Sequence, residues 1–244
     1  MHCGLVLFDI DGTLIDTGGA GLEAIRLAAH DLYGDRAALP ELDVRGATDA
    51  GLARDVLTAF GSKISPATVG ELYEAYLVRL REQLGASSLE GKILPGVCEL
   101  LDVLEEAGAV LGLLTGNIEA GAQLKLQRFG LDHYFAFGAF GHEHVERDKL
   151  GPVAVARATE VHQRTFSPSE TVVVGDTPRD ISCGHAIGAR TIAVATGSFS
   201  LEQLRSCDPT LAVRSLEETG EILGRIKGWS DKEIERGADH GHTA

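Results

Sequence analysis

Asp9 and Asp11 stand two residues apart at the end of the apolar run Leu5-Val6-Leu7-Phe8, and Gly12-Thr13 follows them. Residues i and i+2 of an extended segment point to the same side, so both carboxylates can address one small ligand. Like charges so close repel, and the pair therefore calls for a cation or a shared proton. An apolar run that ends in acid reads as a buried parallel strand leaving its sheet. In open α/β sheets, ligands sit beyond the carboxyl ends of the strands. The plain alternative is a strand with a solvated Asp-Gly turn. Asp-x-Asp-Gly also opens calcium loops, but with Asp9 as the first position Ala20 stands where the closing bidentate glutamate belongs.

Two more apolar runs end in polar residues. Val110–Leu114 leads into Thr115-Gly116-Asn117, and Val172-Val173-Val174 leads into Gly175-Asp176, with Asp180 shortly after. If these strands are parallel, one sheet edge collects carboxylates, a hydroxyl and free backbone N–H groups in a single crevice.

The elements that would position these groups can be read from periodicity. Helical spacing runs over Gly19–Tyr33, Asp49–Phe60 and Pro66–Leu84, and Gly-Ala-Ser-Ser at 85–88 breaks it. No strand is read between Thr17 and Gly91. From Pro95 the pattern alternates: helix 96–106, strand 110–114, helix 118–129, an apolar aromatic segment 134–140 and helix 150–162. Strand 172–174, helix 178–187, strand 190–194, a weaker strand near 211–213 and a helix near 216–227 complete it. Such alternation implies an α/β fold with a doubly wound parallel sheet, Rossmann-like, carrying an inserted α-helical subdomain. The expected division is a core of residues 1–16 and 92–229, a helical insert at 17–91, and a flexible tail at 230–244. His240 and His242 in that tail are read as solvated rather than metal-binding.

The 244-residue chain fits one large domain with such an insert, and its 44% hydrophobic content suffices for a core. The net charge of −14 argues against nucleic acid or an anionic membrane surface as partner. It also means that an anionic substrate would need local cations or a metal. Cys3, Cys98, Cys183 and Cys207 form no CxxC pair and read as apolar fillers in a reducing compartment. Neither a signal peptide nor a membrane-length run is read, and a cytoplasmic location is expected.

The three strand ends together resemble the haloacid dehalogenase superfamily of hydrolases. Phe8-Asp9-Ile10-Asp11-Gly12-Thr13-Leu14 is similar to its first motif, Leu113-Leu114-Thr115-Gly116-Asn117 to its second, and Val174-Gly175-Asp176-Thr177-Pro178-Arg179-Asp180 to its fourth. The helical insert matches the family's cap in position, and the subgroup resembled is that of the phosphoglycolate phosphatases. The third motif usually supplies a lysine before a Pro-containing helix start. Here the segment is Glu146-Arg147-Asp148-Lys149-Leu150-Gly151-Pro152, so two cations compete; Arg147 is preferred and Lys149 is the alternative. An arginine suits the role because its planar fork matches phosphoryl oxygens and stays charged.

The resemblance implies Asp9 as nucleophile, forming an aspartyl-phosphate, and Asp11 as general acid and then base. It implies Mg²⁺ held by Asp9, the backbone carbonyl of Asp11, Asp176 and Asp180. Thr115, Gly116 and Asn117 would grip the phosphoryl group, and Arg147 would offset its charge. Asp11 favours phosphate esters over dehalogenation, which has no leaving alkoxide to protonate. The expected activity is hydrolysis of small phosphorylated metabolites, phosphoglycolate-like compounds or sugar phosphates, with nucleotides and pyrophosphate open. A phosphoryl mutase and a silent phosphometabolite-binding protein are the alternatives, and the oligomeric state is not readable. Arg45, in a loop between cap helices, is a candidate substrate contact, while Thr48-Asp49 reads equally as a helix N-cap. Gly18-Gly19-Ala20-Gly21 lacks nucleotide-loop spacing and reads as a hinge. His142 and His144 read as solvated loop residues.

Overall fold

The computed structural model describes residues 4–34, 39, 41–85 and 90–239, with side chains described as far as residue 229. Cys3, His240, His242 and part of the 85–88 break lie outside these residues. The first strand, β1 (Leu5–Phe8), is buried along its whole length, which is why its sequence is an unbroken apolar run. The chain then turns through Asp9–Leu14 into a two-residue strand, β2 (Ile15–Asp16), before three helices: α1 (Ala20–Tyr33), α2 (Asp49–Ala59) and α3 (Pro66–Gly85). β3 (Lys92–Ile93) returns antiparallel to β2, Ile15 opposite Ile93 and Asp16 opposite Lys92.

Alternation follows: α4 (Val97–Glu106), β4 (Val110–Thr115), α5 (Glu119–Phe129), β5 (Gly138–Phe140) and α6 (Leu150–His162). Then come β6 (Thr171–Gly175), α7 (Pro178–Ala186), β7 (Arg190–Val194), α8 (Leu201–Arg205), β8 (Leu211–Val213) and α9 (Thr219–Asp239). Six strands form one sheet in the order β5-β4-β1-β6-β7-β8. Its pairings are parallel, and β1 lies between β4 and β6, Leu5 facing Val110 on one side and Thr171 on the other. The ends of β1, β4 and β6 are therefore neighbours, at the place where the strand order reverses direction.

Alternate residues of β1 feed opposite layers. Val6 and Phe8 pack with Leu100, Leu104 and Ile222 on one face, and Leu5 and Leu7 with Leu150, Ala154 and Cys183 on the other. The three helices between β2 and β3 carry an apolar cluster of their own, with Ala24, Ala28, Val56, Leu72 and Leu80 at its centre, and Ile118 of the sheet layer joins it.

Several elements differ from the periodicity expectation, among them the paired strands β2 and β3, whose two residues each are too few to show alternation. α8 was not read, because five residues are too short to show a helical period; its start is fixed instead by a Ser200–Gln203 capping box. α9 runs to Asp239, well into the segment read as a tail. Among the described residues no helix is long and apolar enough to cross a membrane.

Candidate active site

Asp9 leaves β1 held by its own backbone N–H, which donates to the Val174 carbonyl at 3.0 Å, and it is only 5% exposed. Asp176 follows β6. Asp180 sits in the first turn of α7, where a capping box with Thr177 fixes it: the Thr177 hydroxyl donates to Asp180 Oδ2 at 2.7 Å. Together these supply carboxylate oxygens that all lie within 4.8 Å of one another. Thr13 steadies the group by donating to Asp176 Oδ1 at 3.2 Å. Gly12 and Gly197 admit the Asp176 carboxylate, since a Cβ at either would collide with it.

Arg147 lies beneath this set in a short 3₁₀ turn, Arg147–Lys149, and is 6% exposed. Its guanidinium pairs with Asp9 Oδ1 at 3.0 Å and with Asp180, and it also donates to the Leu114 and Gly46 carbonyls at 3.2 and 3.3 Å. Among the described residues its buried Nε has no hydrogen-bond partner. Lys149, two residues along the same turn, has a side chain 58% exposed and pairs with Glu146 at 2.8 Å. Of the two cations in that segment, Arg147 reaches the acids and Lys149 does not.

Asp11 also faces the cleft above Asp9. Its Oδ2 accepts from Asn117 Nδ2 at 2.8 Å and from Lys125 Nζ at 2.6 Å. Lys125 donates again to Asn117 Oδ1 at 2.6 Å, closing a three-residue network. Thr115 stands one layer behind. It is fully buried, and its hydroxyl oxygen accepts from the Asn117 backbone N–H at 3.3 Å and side-chain amide at 2.8 Å. Gly116 and Asn117 line the cleft.

Lys125 and Asp49 were not read as site residues. Lys125 shares the buried face of α5 with Gly121, Ala122 and Leu126. A lysine falling on an otherwise apolar helical stripe was the available signal. Thr48 is the N-cap of α2, its side chain accepting from the Gly51 N–H at 3.2 Å. Asp49 beside it reaches across to accept the Ile118 N–H at 2.7 Å and lines the cleft.

The loop before α2 is docked onto the sheet edge through both backbone and side-chain bonds. The Asp49 N–H donates to the Gly116 carbonyl at 2.7 Å and the Ala50 N–H to the Gly141 carbonyl at 2.9 Å, while the Thr48 hydroxyl donates to the Val145 carbonyl at 2.8 Å. Gly116 and Gly141 permit this approach, because a Cβ at Gly116 would meet the Ala47 carbonyl and one at Gly141 would meet the Gly116 carbonyl. Arg45 lies at the exposed rim, its Nε on Asp43 at 2.8 Å and its guanidinium 5.7 Å from the Phe199 ring. Gly18 and Gly19 take left-handed φ values of 63° and 86° at the entry to α1. His142 and His144 are not part of the acidic group.

Electrostatics at this edge favours a bound cation. Among the described residues, Asp9, Asp11, Asp176 and Asp180 meet only Arg147 and Lys125 as direct ionic partners. Burial raises the Asp176 carboxyl well above its ordinary range, and the Asp180 and Asp9 charges push it the same way. Burial also raises Asp9, against the pull of Arg147. Asp49 is pushed up to about 6 by burial, against the pull of Lys125. A set of carboxylate oxygens suits a hard divalent ion such as Mg²⁺.

The sign of the stability effect follows. A carboxyl whose folded pKa is raised binds more protons folded than unfolded, so stability falls as pH rises from its unfolded value through its folded value. The metal-free protein should therefore melt lower at pH 8 than at pH 5.5. Asp176→Asn should reduce that difference and raise the metal-free Tm at pH 8 by about 2–4 °C, the equivalent of roughly 1 kcal/mol for a chain of this size. Thermal melts in chelator at the two pH values check this; an unchanged pH slope in the variant would refute it.

The profile of the haloacid dehalogenase-like hydrolases matches residues 6–194. The chain is 32% identical over 200 residues to the N-acetylmuramic acid 6-phosphate phosphatase of Pseudomonas aeruginosa, covering 81% of this chain and 84% of that protein. It is 31% identical over 227 residues to the phosphoglycolate phosphatase of Xylella fastidiosa, covering 92% and 93%. Among solved structures, the β-phosphoglucomutase of Clostridium difficile superposes with a TM-score of 0.68 at 17% identity, over 96% of this chain and all of that one, a likeness of fold.

Proposed function

The chain belongs to the haloacid dehalogenase-like hydrolase family and is a phosphatase of phosphorylated small molecules, and we propose that it works through an aspartyl-phosphate on Asp9 with Mg²⁺ as cofactor. The observation that carries this reading is the Asp9, Asp176 and Asp180 cluster, with Arg147 beneath it, at the ends of adjacent strands.

The Asp9 carboxylate attacks phosphorus while the bond from phosphorus to the leaving oxygen breaks. Asp11, oriented by Lys125 and Asn117, gives that oxygen its proton. It then takes a proton from the water that attacks the phosphoenzyme, releasing inorganic phosphate and restoring Asp9. Gly116 and Asn117 hold the phosphoryl oxygens, and Thr115 acts through Asn117. Arg147 offsets charge on Asp9 and the phosphoryl group. Asp9, Asp176 and the Asp11 carbonyl would hold Mg²⁺, with Asp180 binding directly or through water. Bound there, Mg²⁺ would neutralise charge on the transferring phosphoryl group. The helices between β2 and β3 serve as a cap over the cleft, hinged at Gly18-Gly19. A cytoplasmic setting fits cysteines 98, 183 and 207, which are unpaired.

The test is phosphate release from a panel of phosphorylated metabolites in Mg²⁺, then after chelation. Release is expected only with metal, and re-addition of Mg²⁺ should restore it. Release that persists in chelator would refute the metal requirement, and no release from any compound would refute the enzyme assignment.

A further inference from the structure

The cleft above Asp9 and Asp11 encloses about 460 Å³. That is the scale of a site for an organic ligand of sugar size or larger, and phosphoglycolate would leave most of it empty. One wall is apolar: Leu22, Ile25, Val44, Leu52, Tyr73 and Tyr76 all face the space.

Among the described residues the lining carries three cations, each with an acidic partner, Arg45 in an exposed pair. Arg147 sits at the floor between Asp9 and Asp180, Lys125 between Asp11 and Asn117, and Arg45 at the rim against Asp43. The phosphoryl group would use Arg147 and the metal. Asp16 and Asp49 add two more carboxylates to the lining of the same cleft. A second anionic group there would find no free cation among the described residues and would face like charge, at a desolvation cost with nothing to offset it.

One polar group on the lining is available for an uncharged ligand. Asp49 uses one oxygen on Ile118 and lines the same space. A hydroxyl or amide N–H on the ligand can donate to Asp49. The Tyr73 ring adds to the apolar wall, while its hydroxyl is enclosed away from the open space.

Resting on the phosphatase reading, we propose that the substrate's leaving group is uncharged, bears hydroxyl or amide groups, and presents an apolar face to the α1, α2 and α3 side of the cleft. Esters whose leaving group carries a carboxylate or a second phosphate are poor substrates.

The experiment compares kcat/KM within matched pairs: 2-hydroxyethyl phosphate against phosphoglycolate, glucose 6-phosphate against 6-phosphogluconate, and phenyl phosphate against 4-carboxyphenyl phosphate. Pyrophosphate is assayed beside them. The neutral member should win each pair by at least about tenfold, a difference the loss of one ionic partner readily supplies. Leu52→Arg puts a cation on the apolar wall and should narrow the gap about tenfold by raising the charged member. Val44→Arg, at the exposed rim, makes the same test where folding is not at stake. Equal or better turnover of the charged members overturns the proposal while leaving the phosphatase reading standing. No release from any compound overturns both.

Discussion

Asp9→Asn should lower kcat by about 10⁴-fold or more, because it removes the one atom that forms the covalent intermediate. The substitution is nearly isosteric. The backbone bond from Asp9 to Val174 survives it, and so does the packing of β1. Neutralising Asp9 also relieves a buried carboxyl that its surroundings already push toward the protonated form. The metal-free variant should therefore be no less stable than the parent. Loss of activity would report chemistry and not unfolding. Steady-state phosphate release beside a thermal melt checks both halves. Acid-quenched parent protein should carry one added phosphoryl mass on the peptide containing Asp9, and the variant should carry none. An Asp9→Asn protein that keeps more than about one hundredth of parental turnover would refute the nucleophile assignment.

Arg147→Met should cost about 3–5 kcal/mol at pH 8, the penalty for stranding buried charge after one partner of an ion pair is removed. Asp9 and Asp180 would lose the cation between them, and the Leu114 and Gly46 carbonyls would lose a donor. The cost should shrink as pH falls, since Asp9 and Asp176 take up protons more readily folded than unfolded. Turnover should drop by roughly 10²–10³-fold, as for removal of one charge-stabilising donor. Arg147→Lys restores charge but not the fork that serves four partners, so it should recover stability only in part. Lys149→Ala, from the same turn, should stay within about 0.5 kcal/mol of the parent, as an exposed pair permits. Chemical denaturation of the four proteins at two pH values decides the matter. A Lys149 variant as damaged as the Arg147 variant would reverse the roles of the two residues.

Much of this site was legible in the sequence because strand ends announce themselves. Phe8-Asp9, Leu114-Thr115 and Gly175-Asp176 each mark an abrupt change from buried to polar, and parallel pairing puts such changes side by side. The cation beneath them was narrower ground. Arg147 and Lys149 are two residues apart, and only the 3₁₀ turn decides which points inward. Lys125 and Asp49 stayed hidden because their partners lie far along the chain, Asp11 for one and the Ile118 backbone for the other. The apolar cleft wall was hidden for a different reason. Leu22, Leu52 and Tyr73 show the same helical spacing whether they fill a core or line a chamber.

The pairing of β2 with β3 has a consequence for how such a protein diversifies. Ile15 and Ile93 lie opposite each other, so the chain departs from the sheet layer and rejoins it at a single gate. Everything between is a detour, and lengthening a detour raises its closure entropy only logarithmically. Part of the detour's grip on the strand ends runs through backbone, from Asp49 and Ala50 to the Gly116 and Gly141 carbonyls. Backbone bonds of this kind are indifferent to which side chains the helices carry. The helices can thus be exchanged as a cassette, with the strand-end carboxylates inherited unchanged, and new diets can be acquired without reinventing the cleavage.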